Sequence, residues 1–246
     1  MDTLSTFTSA TRQGDRGPDV KLAQEWLNFH GFTTFIDSEF GPATEACVRR
    51  FQKRAGVAES GIVDPPTQQA LLAPMTAAKA MVPAGSHTVR SLVIAYARQH
   101  LAQHPVEIGG ENAGPWVRLY MGGREGIEWP WCAGFATYVL AQAARTLGVT
   151  APHPYAFGCD YLAGVAQQNS RFLRPKTPAD VASVQPGYLF LVRKTQNKWA
   201  HIGIVEAVQG EMMLTIEGNT NNDGSPEGFE VCRRTRPIKD KDYLVV

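Results

Sequence analysis

The chain has 246 residues, 43% of them hydrophobic, and its 24 Lys and Arg nearly cancel its 23 Asp and Glu to leave a formal net charge of +1. That balance excludes a nucleic-acid binder held by bulk electrostatics, and no run of about 18 apolar residues offers a membrane span. The length suits two small domains with real cores.

The opening MDTLSTFTSATRQGDRG has neither the basic nor the apolar segment of a secretory signal. Synthesis in the cytoplasm is therefore expected, with delivery to any outside target by another route. Cys47, Cys132, Cys159 and Cys232 show no CxxC spacing, and all four are expected to be reduced in that compartment.

Residues 18–72 read as a small three-helix unit. Val20, Leu22, Ala23, Trp26, Leu27 and Phe29 carry helical spacing, with Pro18 at the start and Gly31 as the stop. Pro42 opens a second helix through Val48 and Phe51 to Gly56, and PPTQQALL forms a short third. The stretch 74–87 is small and Pro/Gly-containing, which predicts a linker with an added helical turn over Ala77–Met81.

Beyond it, TVRSLVIAYARQHLAQH and WPWCAGFATYVLAQAARTLG predict two helices, the second apolar on most sides. From Gly187 the runs YLFLVR, HIGIVEAV, MMLTIEGN, FEVCRRTR and YLVV alternate as strands. Helices followed by strands predict an α+β domain with an antiparallel sheet over residues 88–246.

Cys132 lies two residues after Pro130, at the beginning of the buried helix. Free N–H groups and the helix dipole stabilise a thiolate there, although a cysteine in such a helix also serves as a small core residue. His201 opens a strand and shares a face with Gly203 and Val205, Gly203 leaving room beside the imidazole. On the next strand Glu217 and Asn219 are two apart, and either can accept from the imidazole N–H. Together these residues form a nucleophile, base and orienter set. Trp129, Trp131 and Trp199 flank it in sequence, as groove walls for substrate or as core aromatics.

Two other patterns are set aside. Asn219, Asn221, Asp223, Gly224 and Glu230 nearly fit a calcium loop, but strands flank them and Asn-Asp-Gly reads as a hairpin turn. His100 and His104 are four apart with no third ligand evident, which assigns them to the surface or a helix end.

The segments GDRGPDVKLAQEWLNFHGF and FGPATEACVRRFQKRAGVAESGIVDPPTQQAL resemble the peptidoglycan-binding domain of wall hydrolases, departing from it at Ser38 and at Asp64, Pro65 and Pro66. WCAGFATYVL, PGYLFLV, HIGIVE and IEGNT resemble the CHAP family of cysteine, histidine-dependent amidohydrolases/peptidases, relatives of papain-like NlpC-type hydrolases. The resemblance implies a papain-like domain at 88–246, preceded by a peptidoglycan-binding helical domain at 12–73 and a linker at 74–87.

It also implies Cys132 as nucleophile, His201 as base and Glu217 with Asn219 as the orienting pair. The expected reaction is hydrolysis of a peptidoglycan amide, as an N-acetylmuramoyl-L-alanine amidase or a stem-peptide endopeptidase. A non-catalytic wall-binding protein with a decayed hydrolase fold is the competing reading. No metal or cofactor is expected. The expected state is a monomer acting at the wall or in the periplasm. A phage lysin or a secreted antibacterial effector, with an immunity or delivery partner, fits that expectation.

Overall fold

The computed structural model describes residues 6–221 and 228–246. The chain divides into two compact units, Met1–Ala77 with Val106–Ile127, and Ala78–Pro105 with Glu128–Val246.

The first unit is helical. Helix α1 spans Pro18–Phe29 and α2 spans Pro42–Ala55, each with proline in its first turn, where a missing N–H costs nothing. Gly56 closes α2 in the left-handed conformation that glycine adopts without strain. Helix α3 spans Pro65–Lys79 and carries Pro74 inside it. The expected linker is therefore partly helical, and the added turn over Ala77–Met81 is realised as far as Lys79.

Val20, Ala23, Trp26, Leu27, Val48, Phe51 and Leu71 form the apolar centre of this unit. The segment 106–127, expected to belong with the second domain, packs here instead. Its short helix Pro115–Tyr120, between the α4 and α6 described below and so termed α5, brings the Trp116 ring edge-on to Trp26 at 5.9 Å between centroids. Arg118 makes a two-pronged ion pair with the buried carboxylate of Glu25 and also holds Glu125, which Lys21 reaches from α1. Burial of such charges is tolerated because each is paired.

The second unit is α+β. Helix α4 (Val89–Leu101) opens with a capping box between Thr88 and Ser91. Helix α6 (Cys132–Leu147) is buried along most of its length and ends at left-handed Gly148. It packs against α4 and the sheet. Helix α7 is Cys159–Gln168, β1 is Phe172–Leu173 and α8 is Pro178–Ala182.

The main strands are β2 (Leu189–Thr195), β3 (Lys198–Gln209), β4 (Met212–Thr220), β5 (Glu230–Pro237) and β6 (Lys241–Leu244). All pairings are antiparallel, in the order β1-β6-β2-β3-β4-β5. The five expected strands are β2 to β6; α5, α7, α8 and β1 are additions, all but α7 too short for a readable period. Phe190, Val205, Met213, Ile238 and Tyr243 pack together as one core cluster.

His100 lies in the last turn of α4, as the helix-end reading expected, but it is not at the surface. It is fully buried, bonds Gln142 Oε1 at 2.9 Å and has its pKa pulled down to about 4 by burial. His104, by contrast, is exposed. The expected hairpin turn after Asn221 lies over residues 222–227, outside the described residues.

Replacing Trp116 by Ala should destabilise the first unit by about 3–5 kcal/mol, the usual cost of deleting a buried large aromatic. Hydrogen exchange should accelerate over residues 18–55. Unchanged protection there would contradict the assignment of segment 106–127 to this unit.

Candidate active site

Cys132 occupies the first position of α6. Backbone N–H groups of a first turn have no intrahelical acceptor, so they are available to an anion. Cys132 is 4% exposed. It is hydrogen-bonded to the thiol of Cys159, to the His201 ring and to the backbone N–H of Ile202. The Cys159 bond is the largest influence, and with the imidazolium and the Ile202 N–H it overcomes burial and holds Cys132 well below the ordinary thiol pKa.

His201 presents Nε2 to Glu217 Oε2 at 2.8 Å, which leaves Nδ1 for the thiol. Burial alone would lower the imidazole pKa, but the bonds and charges of Cys132 and Glu217 outweigh it and raise the value to about 9. Both shifts favour the thiolate–imidazolium form of the pair over the neutral one.

Glu217 is fully buried in β4. Its Oε1 accepts from the Thr215 hydroxyl at 2.5 Å and Arg236 Nε at 2.6 Å, and its Oε2 accepts from Arg236 Nη2 at 2.6 Å as well as from the ring. Burial pushes the carboxyl up, yet Arg236 and His201 win and bring it down to about 2. Four donors on two oxygens leave it one orientation.

The orienting pair divides its work. A register shift in β4 between Glu217 and Thr220 breaks the simple alternation, and Asn219 adopts φ 54°. Glu217 takes the imidazole. Asn219 Oδ1 accepts from the Trp131 backbone N–H at 3.1 Å, and its amide donates to the Gly228 carbonyl at 2.7 Å. Its bonds therefore fix the start of α6 to the end of β4.

Two glycines set these approaches. A Cβ at Gly203 would fall 2.6 Å from the Phe190 ring and 2.7 Å from Glu217 Cγ. The space expected beside His201 is filled by that carboxylate arm and that ring. A Cβ at Gly218 would fall 2.7 Å from Phe135 and 2.8 Å from Trp131. Glycine there lets β4 lie against the first turn of α6.

The tryptophans resolve unequally. Trp131 is fully buried, and Trp199 is nearly so, with its indole N–H on Asp242 and its ring edge-on to Phe172. Both pack into the core. Trp129 is half-buried.

Three participants escape sequence reasoning. Arg236 sits on the same face of β5 as Cys232, the register partner of Glu217, but four residues along. Thr215 is visible only as a same-face neighbour of Glu217. Cys159 begins α7 just as Cys132 begins α6, a parallel that only the structure reveals because α7 was not expected.

Residues 123–219 match the family model described as CHAP domain, and residues 16–71 match the model described as a putative peptidoglycan binding domain. The chain carries a peptidoglycan-binding domain followed by a CHAP domain. Cys132, His201, Glu217 and Asn219 all lie inside the CHAP match.

Among curated proteins, a zinc D-Ala-D-Ala carboxypeptidase of Streptomyces albus G is 36% identical over 70 residues, which are 27% of this chain and 28% of the relative. The chain thus spans little more than a quarter of that protein. Two solved structures are similar at 30% identity. The SleB N-terminal domain covers 28% of this chain and 94% of its own, with a TM-score of 0.27; a Burkholderia AP3 phage endolysin covers 38% and 33%, with a TM-score of 0.26.

The electrostatics of the CHAP-domain site can be checked without any substrate. In Cys132→Ala the thiolate that raises His201 is gone, so the imidazole midpoint read by NMR should drop from about 9. Glu217→Gln should lower it too. A midpoint that stays put in both variants would count against the coupled triad.

Proposed function

We propose that this chain hydrolyses an amide bond of peptidoglycan through Cys132. The observation that carries this reading is the His201 bridge between the Cys132 thiol and the buried carboxylate of Glu217. The CHAP match over the same residues supports it, and the peptidoglycan-binding match supports the choice of substrate. So does the likeness of part of the chain to a D-Ala-D-Ala carboxypeptidase.

The Cys132 thiolate attacks the amide carbonyl at the N-terminus of α6, and the Cys132 backbone N–H receives the developing oxyanion. Protonated His201 gives its proton to the leaving amine. The neutral imidazole, held by Glu217, then activates water to release the acyl group. Glu217 keeps the ring in one orientation throughout, while Arg236 and Thr215 keep Glu217 in place. The bond is the muramoyl–L-Ala amide or an amide of the stem peptide, and the same residues serve either.

The N-terminal unit docks on the wall and raises the local substrate concentration. Docking places the site of action at the wall or in the periplasm, reached by phage lysis or contact-dependent secretion. The working form is a monomer, with an immunity or delivery partner in the second case.

Purified sacculi treated with the wild-type chain should release soluble muropeptides, and Cys132→Ala should lose at least about a thousandfold in rate, as loss of a covalent nucleophile does. Equal release by the variant would exclude Cys132 as nucleophile. Mass spectrometry of the fragments identifies the bond.

The pH profile has a defined alkaline limb. Leaving-group protonation needs imidazolium, so kcat/KM should fall as pH rises through about 9, where His201 loses its proton. An activity still climbing above that pH would count against His201 as the acid.

A further inference from the structure

Cys159 lies outside the triad, yet its sulfur is 4.0 Å from that of Cys132, and both thiols are free. Each begins a helix of the second unit, α6 or α7, and each is buried. A disulfide needs the sulfurs at about 2.0 Å, so closure must bring them together from 4.0 Å. We propose that Cys132 and Cys159 form a reversible oxidation couple, in which a peroxide oxidises Cys132 and Cys159 resolves the product to a disulfide that closes the active site. This rests on the reading of Cys132 as an activated nucleophile.

The first step uses the thiolate. Cys132 sulfur attacks one peroxide oxygen, an S–O bond forms and the O–O bond breaks. The departing hydroxide takes a proton from His201 and leaves as water. Sulfur has lost two electrons to the peroxide. In the second step the Cys159 sulfur attacks the sulfenic sulfur, the S–S bond forms, and the S–OH bond breaks. Hydroxide leaves with the Cys159 proton as the second water. Two thiols and one peroxide give one disulfide and two waters.

The order of events follows from the charges. The hydrogen bond to Cys132 is the main reason that Cys159 is held far above the ordinary thiol pKa, with burial and the neighbouring negative charge adding to it. Cys159 therefore stays protonated, inert and useful as a donor to the thiolate while Cys132 is reduced. Once Cys132 is a neutral sulfenic acid, the charge that kept Cys159 protonated is gone. The resolving thiol is thus activated by the oxidation it resolves. The benefit is protection, since the disulfide is reducible and the higher oxidised acids of cysteine are not.

The test treats the reduced full-length protein with hydrogen peroxide, then maps tryptic peptides by mass and assays wall digestion before and after a thiol reductant. The wild type should lose two hydrogens, yield a Cys132–Cys159 linked peptide, lose activity and regain it on reduction. Cys159→Ser and Cys159→Ala, checked for folding by circular dichroism, should instead accumulate two or three oxygens on Cys132 and stay inactive after reduction. Over-oxidised Cys132 without the linked peptide in the wild type, or two thiols left unmodified, would overturn the couple. The mass readout needs no activity. If every reduced sample fails to digest wall, the hydrolase reading fails, and the linked peptide alone still decides the couple.

Discussion

The site depends on a carboxylate that has no access to water. Glu217 is buried in the middle of an antiparallel sheet, where an unpaired charge costs several kcal/mol even after relaxation. It is tolerated because His201 comes from β3, Arg236 from β5 and Thr215 from its own strand. Three strands must be in register for those donors to meet one side chain. The fold and the site are therefore one constraint: misalignment of β5 would remove Arg236, and the charge of Glu217 would then fall on the imidazole alone.

From that carboxylate the charges alternate in sequence along the site. Arg236 favours the anion of Glu217, Glu217 the cation of His201, and His201 the thiolate of Cys132. Each member favours the ionised form of the next, which is how a thiolate persists in a place where burial opposes it. Cys159 adds a neutral donor at the far end. Gly203 and Gly218 make the row compact, because a side chain at either would push Glu217 off the imidazole or β4 off the first turn of α6.

The N-terminal unit follows a different logic. Its apolar centre comes from short helices, and a unit this small gains from extra burial. Residues 106–127 supply it. Trp116 adds an aromatic face, and Arg118 pairs with a buried glutamate that would otherwise have only the more distant Lys21 of its own helix. A stretch that lies between two helices of the second unit in sequence thus contributes its core to the first.

Much of this was legible from the chain itself. Helical and alternating periods located α1, α2, α4, α6 and strands β2 to β6, since each is long enough to show one apolar face. Helix-start Cys132 and the strand residues His201 and Glu217 were visible from those periods, although β3 begins at Lys198, three residues before the expected start at His201.

What the chain did not reveal depends on register, packing or exposure. Asn219 bonds the Trp131 N–H beside an irregular step in β4. Trp131 and Trp199 became core, and His100 turned inward, because adjacency in sequence says nothing about which side of a helix or strand meets another layer. Arg236 and Cys159 reach the site from 104 and 27 positions beyond Cys132 along the chain. Local sequence located Cys132, His201 and Glu217 as candidates. Only the tertiary structure decided what holds the Glu217 carboxylate and what stands beside the Cys132 thiol, because those contacts are made between elements that no local pattern brings together.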